Sequence, residues 1–444
     1  MPARAVVLSV LLLVSPLLAQ SDPPARPNIV LIVADDLGYG ETGAQGATDI
    51  PTPNIDSIAK SGLRFTNGYV SCPYCAPTRA GMMTGRYQQR FGFEFNPLGV
   101  GQKGVPIGLP RTETTLAERL KPLGYATGMF GKWHLGSAPT LRPTNRGFDE
   151  FYGFLGGMHP YLPGPVTRDG PIYRENDPVD PPAYLTDALA DEAVSFVQRH
   201  AEGPFFLYLP FNAGHSPLEA TEKYLARFPK IADTRRRTFA AMLSAMDDGI
   251  GRVLGALRKA DLEEETLVIF LSDNGGSVAE NTSVNGPLRG HKIEVYEGGI
   301  RVPFMIQWKG TLPEGKTLDF PVSSLDIHPT TLAAAGGEAP EGLDGVNLLP
   351  FLLGQSEGVP HEVLCWRMGA SRAIRMGDWK LVMLPRGDSE LYDLSADIGE
   401  TEDLSEAHPE QVETLRAAFD EWNSQMIEPR WGNAPGQGGR PRRK

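Results

Sequence analysis

The chain predicts an α/β protein: a large, mainly parallel sheet sandwiched by helices, with a smaller C-terminal α+β domain containing an antiparallel sheet. Three observations predict it. Short continuous apolar runs, which mark strands buried on both faces, recur along most of the chain. Amphipathic stretches of helical length alternate with them, as a sheet covered on both faces requires. Beyond about residue 345 the pattern changes to brief strands separated by turns, followed by one helix.

In chain order, the first buried strand is Asn28–Ala34 (NIVLIVA), and Tyr125–Phe130, Pro204–Pro210 (PFFLYLP) and Thr266–Ser272 (TLVIFLS) follow. Helices are expected at Pro53–Ser61, Leu116–Leu123, Asp187–His200 and Thr238–Arg258; Thr52 and Gly62 supply start and stop signals for the first. Proline suits the first helical position, so Pro77 predicts a further helix starting there, with Cys75 just outside it. The stretch 153–186, dense in Gly and Pro and carrying His159, Arg168 and Arg174, reads as a long loop of the kind that borders binding sites. Val363–Met368, Ala373–Arg375 with Lys380–Leu384, and Leu391–Leu394 read as short antiparallel strands, and Pro409–Ile427 as a closing helix. The expected organisation is a signal peptide over 1–19, an α/β domain over 24–345, an α+β subdomain over 346–428 and a disordered tail over 429–444, rich in Gly, Pro and Arg.

The signal reading rests on Arg4, the apolar stretch Ala5–Leu18 and the small residue Ala19. That stretch is short for a membrane span and Pro16 interrupts it, and no later segment is apolar enough to cross a bilayer. The mature chain is therefore expected to be exported, into a periplasm or outside the cell. With 444 residues, 41% of them hydrophobic and 22% charged, it has the composition of a globular protein with a large core. A net charge of −12 argues against nucleic acid or an anionic membrane surface as the main partner. An anionic substrate would need a local cluster of cations. The three cysteines, Cys72, Cys75 and Cys365, leave at least one thiol unpaired in an exported chain, and a Cys72–Cys365 bridge stays open.

The chemistry collects at the strand ends. In open α/β sheets ligands bind beyond the carboxyl ends of the strands. The first strand ends at Asp35-Asp36, Thr266–Ser272 ends at Asp273-Asn274-Gly275-Gly276, Tyr125–Phe130 runs into Gly131-Lys132-Trp133-His134, and Pro204–Pro210 into Phe211-Asn212-Ala213-Gly214-His215. Each alone has a plain explanation as a helix cap, a turn or a solvated loop residue. Four together point to one site. Carboxylates and an amide oxygen gathered on one edge call for a hard cation, Ca²⁺ or Mg²⁺ rather than Zn²⁺. Lys132, His134, His215, Arg79 and Lys292 add positive charge, and metal plus basic side chains suits a tetrahedral oxyanion, phosphate or sulfate. Cys75, set over the start of a helix with Arg79 in its first turn, is placed as a nucleophile or as the precursor of one.

These residues resemble the type I, formylglycine-dependent sulfatases, arylsulfatase-like members of the alkaline-phosphatase-like superfamily. The resemblance rests on Cys75-Ala76-Pro77-Thr78-Arg79 with Thr84-Gly85-Arg86, on Pro27-Asn28-Ile29 through Asp35-Asp36-Leu37-Gly38, and on Gly131-Lys132-Trp133-His134-Leu135-Gly136. Gly147-Phe148-Asp149, His215-Ser216-Pro217, Asp273-Asn274-Gly275-Gly276, Leu288-Arg289-Gly290-His291-Lys292, Glu297-Gly298-Gly299-Ile300-Arg301-Val302-Pro303 and Gly377-Asp378-Trp379-Lys380 continue it in family order. The resemblance implies an alkaline-phosphatase-like fold and a sulfuric ester hydrolase, exported and acting on a sulfated small molecule or polysaccharide. It implies that a formylglycine-generating or sulfatase-maturing enzyme oxidises Cys75 to Cα-formylglycine. One hydroxyl of the hydrated aldehyde would attack sulfur, and loss of a proton from the other would expel sulfate. By the same resemblance Asp35, Asp36, Asp273, Asn274 and the modified Cys75 hold Ca²⁺, with Mg²⁺ less favoured. Arg79 fixes the formylglycine hydrate, Lys132 and Lys292 hold sulfate oxygens, His134 is the base that collapses the hemiacetal, and His215 is the acid for the leaving oxygen.

Three other functions compete. Cys72-Pro73-Tyr74-Cys75 is the motif of glutaredoxin-like thiol oxidoreductases, but a redox helix starting at Cys72 would carry Pro77 in its interior, and the acidic strand ends would have no purpose. A phosphate or phosphonate ester hydrolase of the same superfamily keeps the fold and changes the substrate. A non-catalytic binder of sulfated glycans would not need the intact nucleophile, metal and acid positions.

Overall fold

The structure, a computed structural model, describes residues 26–97, 106–164, 170–385, 387 and 389–432. The expected signal peptide, Arg168 and the tail beyond residue 432 lie outside the described residues. The strands are β1 Asn28–Ala34, β2 Leu63–Phe65, β3 Gly68–Tyr69, β4 Ala126–Lys132, β5 Glu150–Phe154, β6 Ile172–Arg174, β7 Asp177–Val179, β8 Phe205–Pro210, β9 Thr266–Ser272, β10 Phe304–Gln307, β11 Lys316–Leu318, β12 Val322–Ser323, β13 Val363–Met368, β14 Ser371–Met376, β15 Trp379–Met383 and β16 Ser389–Asp393.

A ten-stranded sheet runs in the order β11-β2-β10-β9-β1-β8-β4-β5-β6-β7. Its centre, β9-β1-β8-β4-β5, is parallel throughout; β10 pairs antiparallel with β9 and β2, and β6 and β7 extend the far edge antiparallel. Strand β1 shows why both faces are covered. Alternate residues of a strand point to opposite faces, and here Ile29, Leu31 and Val33 enter one core while Val30, Ile32 and Ala34 enter the other. The second core packs against the helices Leu185–Arg199 and Thr234–Lys259.

Beyond this sheet, β13–β16 form a four-stranded antiparallel meander. One face (Cys365, Ile374, Leu381, Leu391) is covered by Leu415 and Phe419 of the helix Pro409–Ser424; the other (Leu364, Trp366, Ala373, Val382) joins the main core. Trp366 Nε1 donates to the carbonyl of Val70 at 2.7 Å. A buried ionic network crosses the same junction. Lys380 Nζ sits 2.8 Å from Glu297 and 2.7 Å from Glu400. Arg301 lies 3.2 Å from Glu297, and Arg375 donates to the Tyr69 hydroxyl, which donates to Glu297.

Several expectations need correction. The helix expected to begin at Pro77 begins at Cys75 and runs to Thr84, with Tyr74 as its cap residue, so Cys75 lies inside its first turn. Proline has no N–H, and the third helical position, where Pro77 sits, needs none. The stretch 153–186 is not wholly irregular: the end of β5, then β6 and β7, occupy part of it. The helix expected from Thr238 begins at Thr234, because Asp233 caps it through the N–H of Arg236 while the charged Arg235-Arg236-Arg237 run hides it from apolar periodicity. Residues 429–432 are not loose: Trp431 packs edge-on to Phe93 and donates to the carbonyl of Phe95. Cys72 and Cys365 do not bridge; all three cysteines are free and buried.

Candidate active site

The four central strands β9, β1, β8 and β4 are adjacent and parallel, so their carboxyl ends open on one edge and deliver Asp273-Asn274, Asp35-Asp36, Asn212–His215 and Lys132–His134 together. Lys132 proves to be the last residue of β4 rather than part of a loop. Gly131, just before it, has φ +141°, and a Cβ there would fall 1.9 Å from the carbonyl oxygen of Pro210. Only glycine allows β4 and β8 to meet so closely at the site. Gly275 serves the next turn in the same way: a Cβ would fall 1.8 Å from the Gly298 carbonyl oxygen. The Asp273-Asn274 turn thereby docks against the helix Glu297–Ile300, with Gly275 N–H donating to Gly299 at 3.0 Å.

Within this edge, ligand atoms of Asp35, Asp36, Cys75 and His215 lie within 4.8 Å of one another, all buried. Cys75 Sγ is 3.9 Å from Asp36 Oδ1, and His215 Nε2 is 3.7 Å from Asp36 Oδ2. Asp273 and Asn274 join through Asp36: the Asp36 N–H donates to Asp273 Oδ1 at 3.2 Å, and Asn274 Nδ2 donates to Asp36 Oδ1 at 2.8 Å. Each carboxylate has its own cation. Lys132 Nζ is 2.6 Å from Asp35, Lys292 Nζ is 2.7 Å from Asp36, and Arg79 Nη2 is 2.8 Å from Asp273. Three acids thus balance three bases before any ligand enters. Even so, Asp35 Oδ1 and Asn274 Oδ1 are buried with no hydrogen-bond partner among the described residues. Buried oxygens left in this state are costly unless something else meets them.

Electrostatics sort these groups. Burial alone would raise the Asp35 and Asp36 carboxyls, but the surrounding Lys132, Lys292 and His215 outweigh it and hold both below the usual carboxylate range. Burial, with Asp35 beside it, pushes Asp273 up to about 6 despite Arg79. Burial drives the Cys75 thiol far up, against the pull of Lys132 and Lys292, so the residue is a neutral thiol and not a ready thiolate. Cys72 is likewise raised by burial. With neither thiol ionised and no bond between them, the oxidoreductase reading loses its chemistry. His134, expected among the cations, is instead held neutral: burial first, then Lys132 and Arg79, drive its pKa well down. Its Nδ1 has no hydrogen-bond partner among the described residues.

The sites expected from the sequence are all brought to this edge. The side chains that align their backbone were not foreseen. Asn281 Nδ2 donates to the carbonyls of Asp36 and Gly214, at 3.1 and 3.0 Å. Ser272 Oγ accepts from the N–H of Leu37, and Ser283 Oγ from that of Gly38. Asn285 brackets Gly276 through both its N–H and its carbonyl. The Tyr161 hydroxyl donates to the carbonyl of His215 at 2.8 Å. Except for Asn285, nine residues from Gly276, each lies far along the chain from what it holds, and no local pattern marks it.

A mainly parallel sheet that gathers acids, bases and a helix-borne cysteine at one edge defines the class: an alkaline-phosphatase-like hydrolase. The sequence profile of the sulfatase family matches residues 27–337, and that of the N-sulphoglucosamine sulphohydrolase C-terminal region matches residues 291–425. Human N-acetylgalactosamine-6-sulfatase is 34% identical over 384 residues, covering 81% of this chain and 72% of that protein. The uncharacterized sulfatase YdeN of Escherichia coli K12 is 34% identical over 396 residues, covering 77% and 68%. A crystal structure of Ps i-CgsB in complex with k-i-k-neocarrahexaose superposes with a TM-score of 0.87 at 37% identity, over 93% of this chain and 96% of that one. The chain belongs to the sulfatase family and is a sulfuric ester hydrolase.

Proposed function

We propose that the chain is an exported, Ca²⁺-dependent sulfatase that releases inorganic sulfate from a sulfated carbohydrate, with Cα-formylglycine made from Cys75 by a maturing enzyme as its nucleophile. The observation that carries the proposal is the pair of orphaned oxygens. Asp35 Oδ1, with only Arg79 Nη2 3.9 Å away, and Asn274 Oδ1, beside the carboxylates of Asp36 and Asp273, are hard donors buried without hydrogen-bond partners, which fits a calcium ion held by these four residues and residue 75. Bound there, calcium would supply positive charge to polarise a sulfate oxygen, and a hydrated aldehyde at residue 75 would supply a nucleophile able to shed sulfate afterwards.

The remaining roles belong to the chain's own side chains. Lys132 and Lys292 hold the sulfate oxygens, offsetting the acids that face them. Arg79, anchored on Asp273 and on the carbonyl of Lys132 at 3.0 Å, orients residue 75. His215, its Nδ1 against the carbonyl of Ser216 and its Nε2 toward the cluster, protonates the departing sugar oxygen. His134, kept neutral by its surroundings, accepts a proton. The carbohydrate assignment draws support from the names of the relatives, an N-acetylgalactosamine-6-sulfatase and a protein crystallised with a neocarrahexaose. Among the described residues no helix is long and apolar enough to cross a membrane, and the Arg4–Ala19 segment supports export.

Intact mass of the peptide spanning residue 75 tests the modification: conversion of thiol to aldehyde removes the sulfur and two hydrogens, adds one oxygen and so lowers its mass by about 18 atomic units, and an unaltered thiol in active protein would refute it. Sulfate release from a panel of sulfated sugars, compared with hydrolysis of nitrophenyl phosphate, tests the reaction. Faster turnover of the phosphate would move the assignment to the phosphoester branch of the superfamily.

A further inference from the structure

The pocket above residue 75 has a volume of about 400 Å³ and two unlike ends. Its floor is the site already described, reached past Tyr74, His134, His215 and Lys292. Its rim combines Met158 and Ile293, apolar yet 39% and 49% exposed, with the carboxylate of Glu280. Among the described lining residues Lys292 is the only lysine and there is no arginine, and Lys292 is already engaged by Asp36. Glu280 has no ion pair or side-chain hydrogen bond among the described residues, yet its backbone is tightly held. Arg235 Nη2 donates to the carbonyls of Ala279 and Glu280 at 2.6 and 2.8 Å. The next residue, Asn281, is fully buried and bound to Asp36 and Gly214.

A free carboxylate on a firmly held stretch of backbone can do two things at a pocket mouth. It accepts hydrogen bonds from hydroxyls, two at once from a vicinal pair, and it repels a second anion. Exposed apolar side chains on the same rim suit the C–H face of a sugar ring, which they would shield from water. We infer that Glu280 is a specificity-determining residue, and that the unit carrying the scissile ester is a neutral, hydroxyl-rich sugar with no carboxylate and no second sulfate on the same ring. The inference rests on the sulfatase reading proposed above and narrows its substrate.

The test uses the mature full-length enzyme and pairs each monosulfated galactose or N-acetylgalactosamine with its disulfated counterpart. Wild type should favour the monosulfated member by about tenfold in kcat/KM, the size expected for one like-charge contact at a partly solvated rim. Glu280→Gln should reduce that ratio to within about twofold of unity, through a lower KM for the disulfated sugar, which is no longer repelled, and a higher KM for the monosulfated one, which loses an acceptor for its hydroxyls. Glu280→Lys should invert it. Loss of kcat on all substrates, nitrophenyl sulfate included, would mean that the residue merely supports its loop, and would overturn the inference. So would an unchanged ratio in both variants while sulfate is still released. No sulfate from any sugar or aryl ester, by contrast, defeats the sulfatase reading itself.

Discussion

Two clusters of buried charge are joined through the helix Glu297–Ile300, and they are built differently. At the junction with the C-terminal sheet, Lys380 serves Glu297 and Glu400 together, Arg301 and Tyr69 complete Glu297, and among the described residues no side-chain oxygen or nitrogen of this group lacks a partner. At the sheet edge, three acids and three bases also pair, but Asp35 Oδ1 and Asn274 Oδ1 are left over. A closed network of buried charge holds elements together. One with unmet oxygens waits for a ligand. The lesson is that burial and pairing alone do not separate structure from function; unsatisfied valence does.

The comparison can be broken most sharply at Asp35. Asp35→Asn should lower sulfate release by at least about a thousandfold, because it removes charge from the proposed ion site and uncovers Lys132, while the fold persists. Activity within tenfold of wild type would erase the distinction between the clusters. Lys380→Met should act in the opposite sense, costing about 3–5 kcal/mol in urea unfolding because Glu297 and Glu400 lose their shared cation in a buried setting. Next in size is the ion itself: calcium at a hundred times its Kd should stabilise wild type by about 2.7 kcal/mol and Asp35→Asn far less, read as a shift in thermal midpoint. An equal shift in both proteins would place the ion elsewhere.

The closed network also carries a pH dependence of its own. Burial pushes the Glu400 carboxyl up to about 7 despite Lys380, whereas Glu297, although burial would raise it, is held down to about 2 by Lys380 and Arg301. Above an ordinary carboxyl pKa of about 4.3 the unfolded chain has released the Glu400 proton while the folded chain keeps it, so this residue makes stability fall as pH rises toward 7 and then level off. Glu297 acts in the reverse direction: its contribution is present above the unfolded pKa and lost as pH falls toward 2. Glu400→Gln should therefore flatten the decline between roughly pH 4.5 and 7 and leave the acid limb intact, measured by urea midpoints across pH. A decline that survives this substitution would assign it to another group, such as Asp247, which burial pushes up to about 6.

How much of this was legible depended on how local the cause was. The strands at Asn28–Ala34 and Thr266–Ser272 match the structure to the residue, because a fully buried parallel strand is a run of apolar side chains ended by polar ones. The short strands β2, β11 and β12 escaped because each is two or three residues long and pairs with neighbours distant in sequence, while β6 and β7, three residues each, form a hairpin too brief to show a periodic pattern. The candidate ligands could be read because they follow strands whose ends must meet. Lys380 could be read only as part of a motif, since its partners Glu297 and Glu400 lie 83 and 20 positions away. The neutrality of His134 was hidden as well, because it comes from burial beside Lys132 and Arg79 and not from its own segment.

The Gly275 contact has a practical consequence. The turn that carries Asp273 and Asn274 leans on the backbone of residues 298 and 299, and Glu297, one step earlier, depends on a lysine from the C-terminal sheet. Trimming the chain ahead of that sheet would strip this buried acid of its lysine and leave Arg301 as its one cation among the described residues, directly behind the candidate site. An engineer who wants a shorter enzyme should cut elsewhere: the strands β13 to β16 brace the wall behind the candidate site.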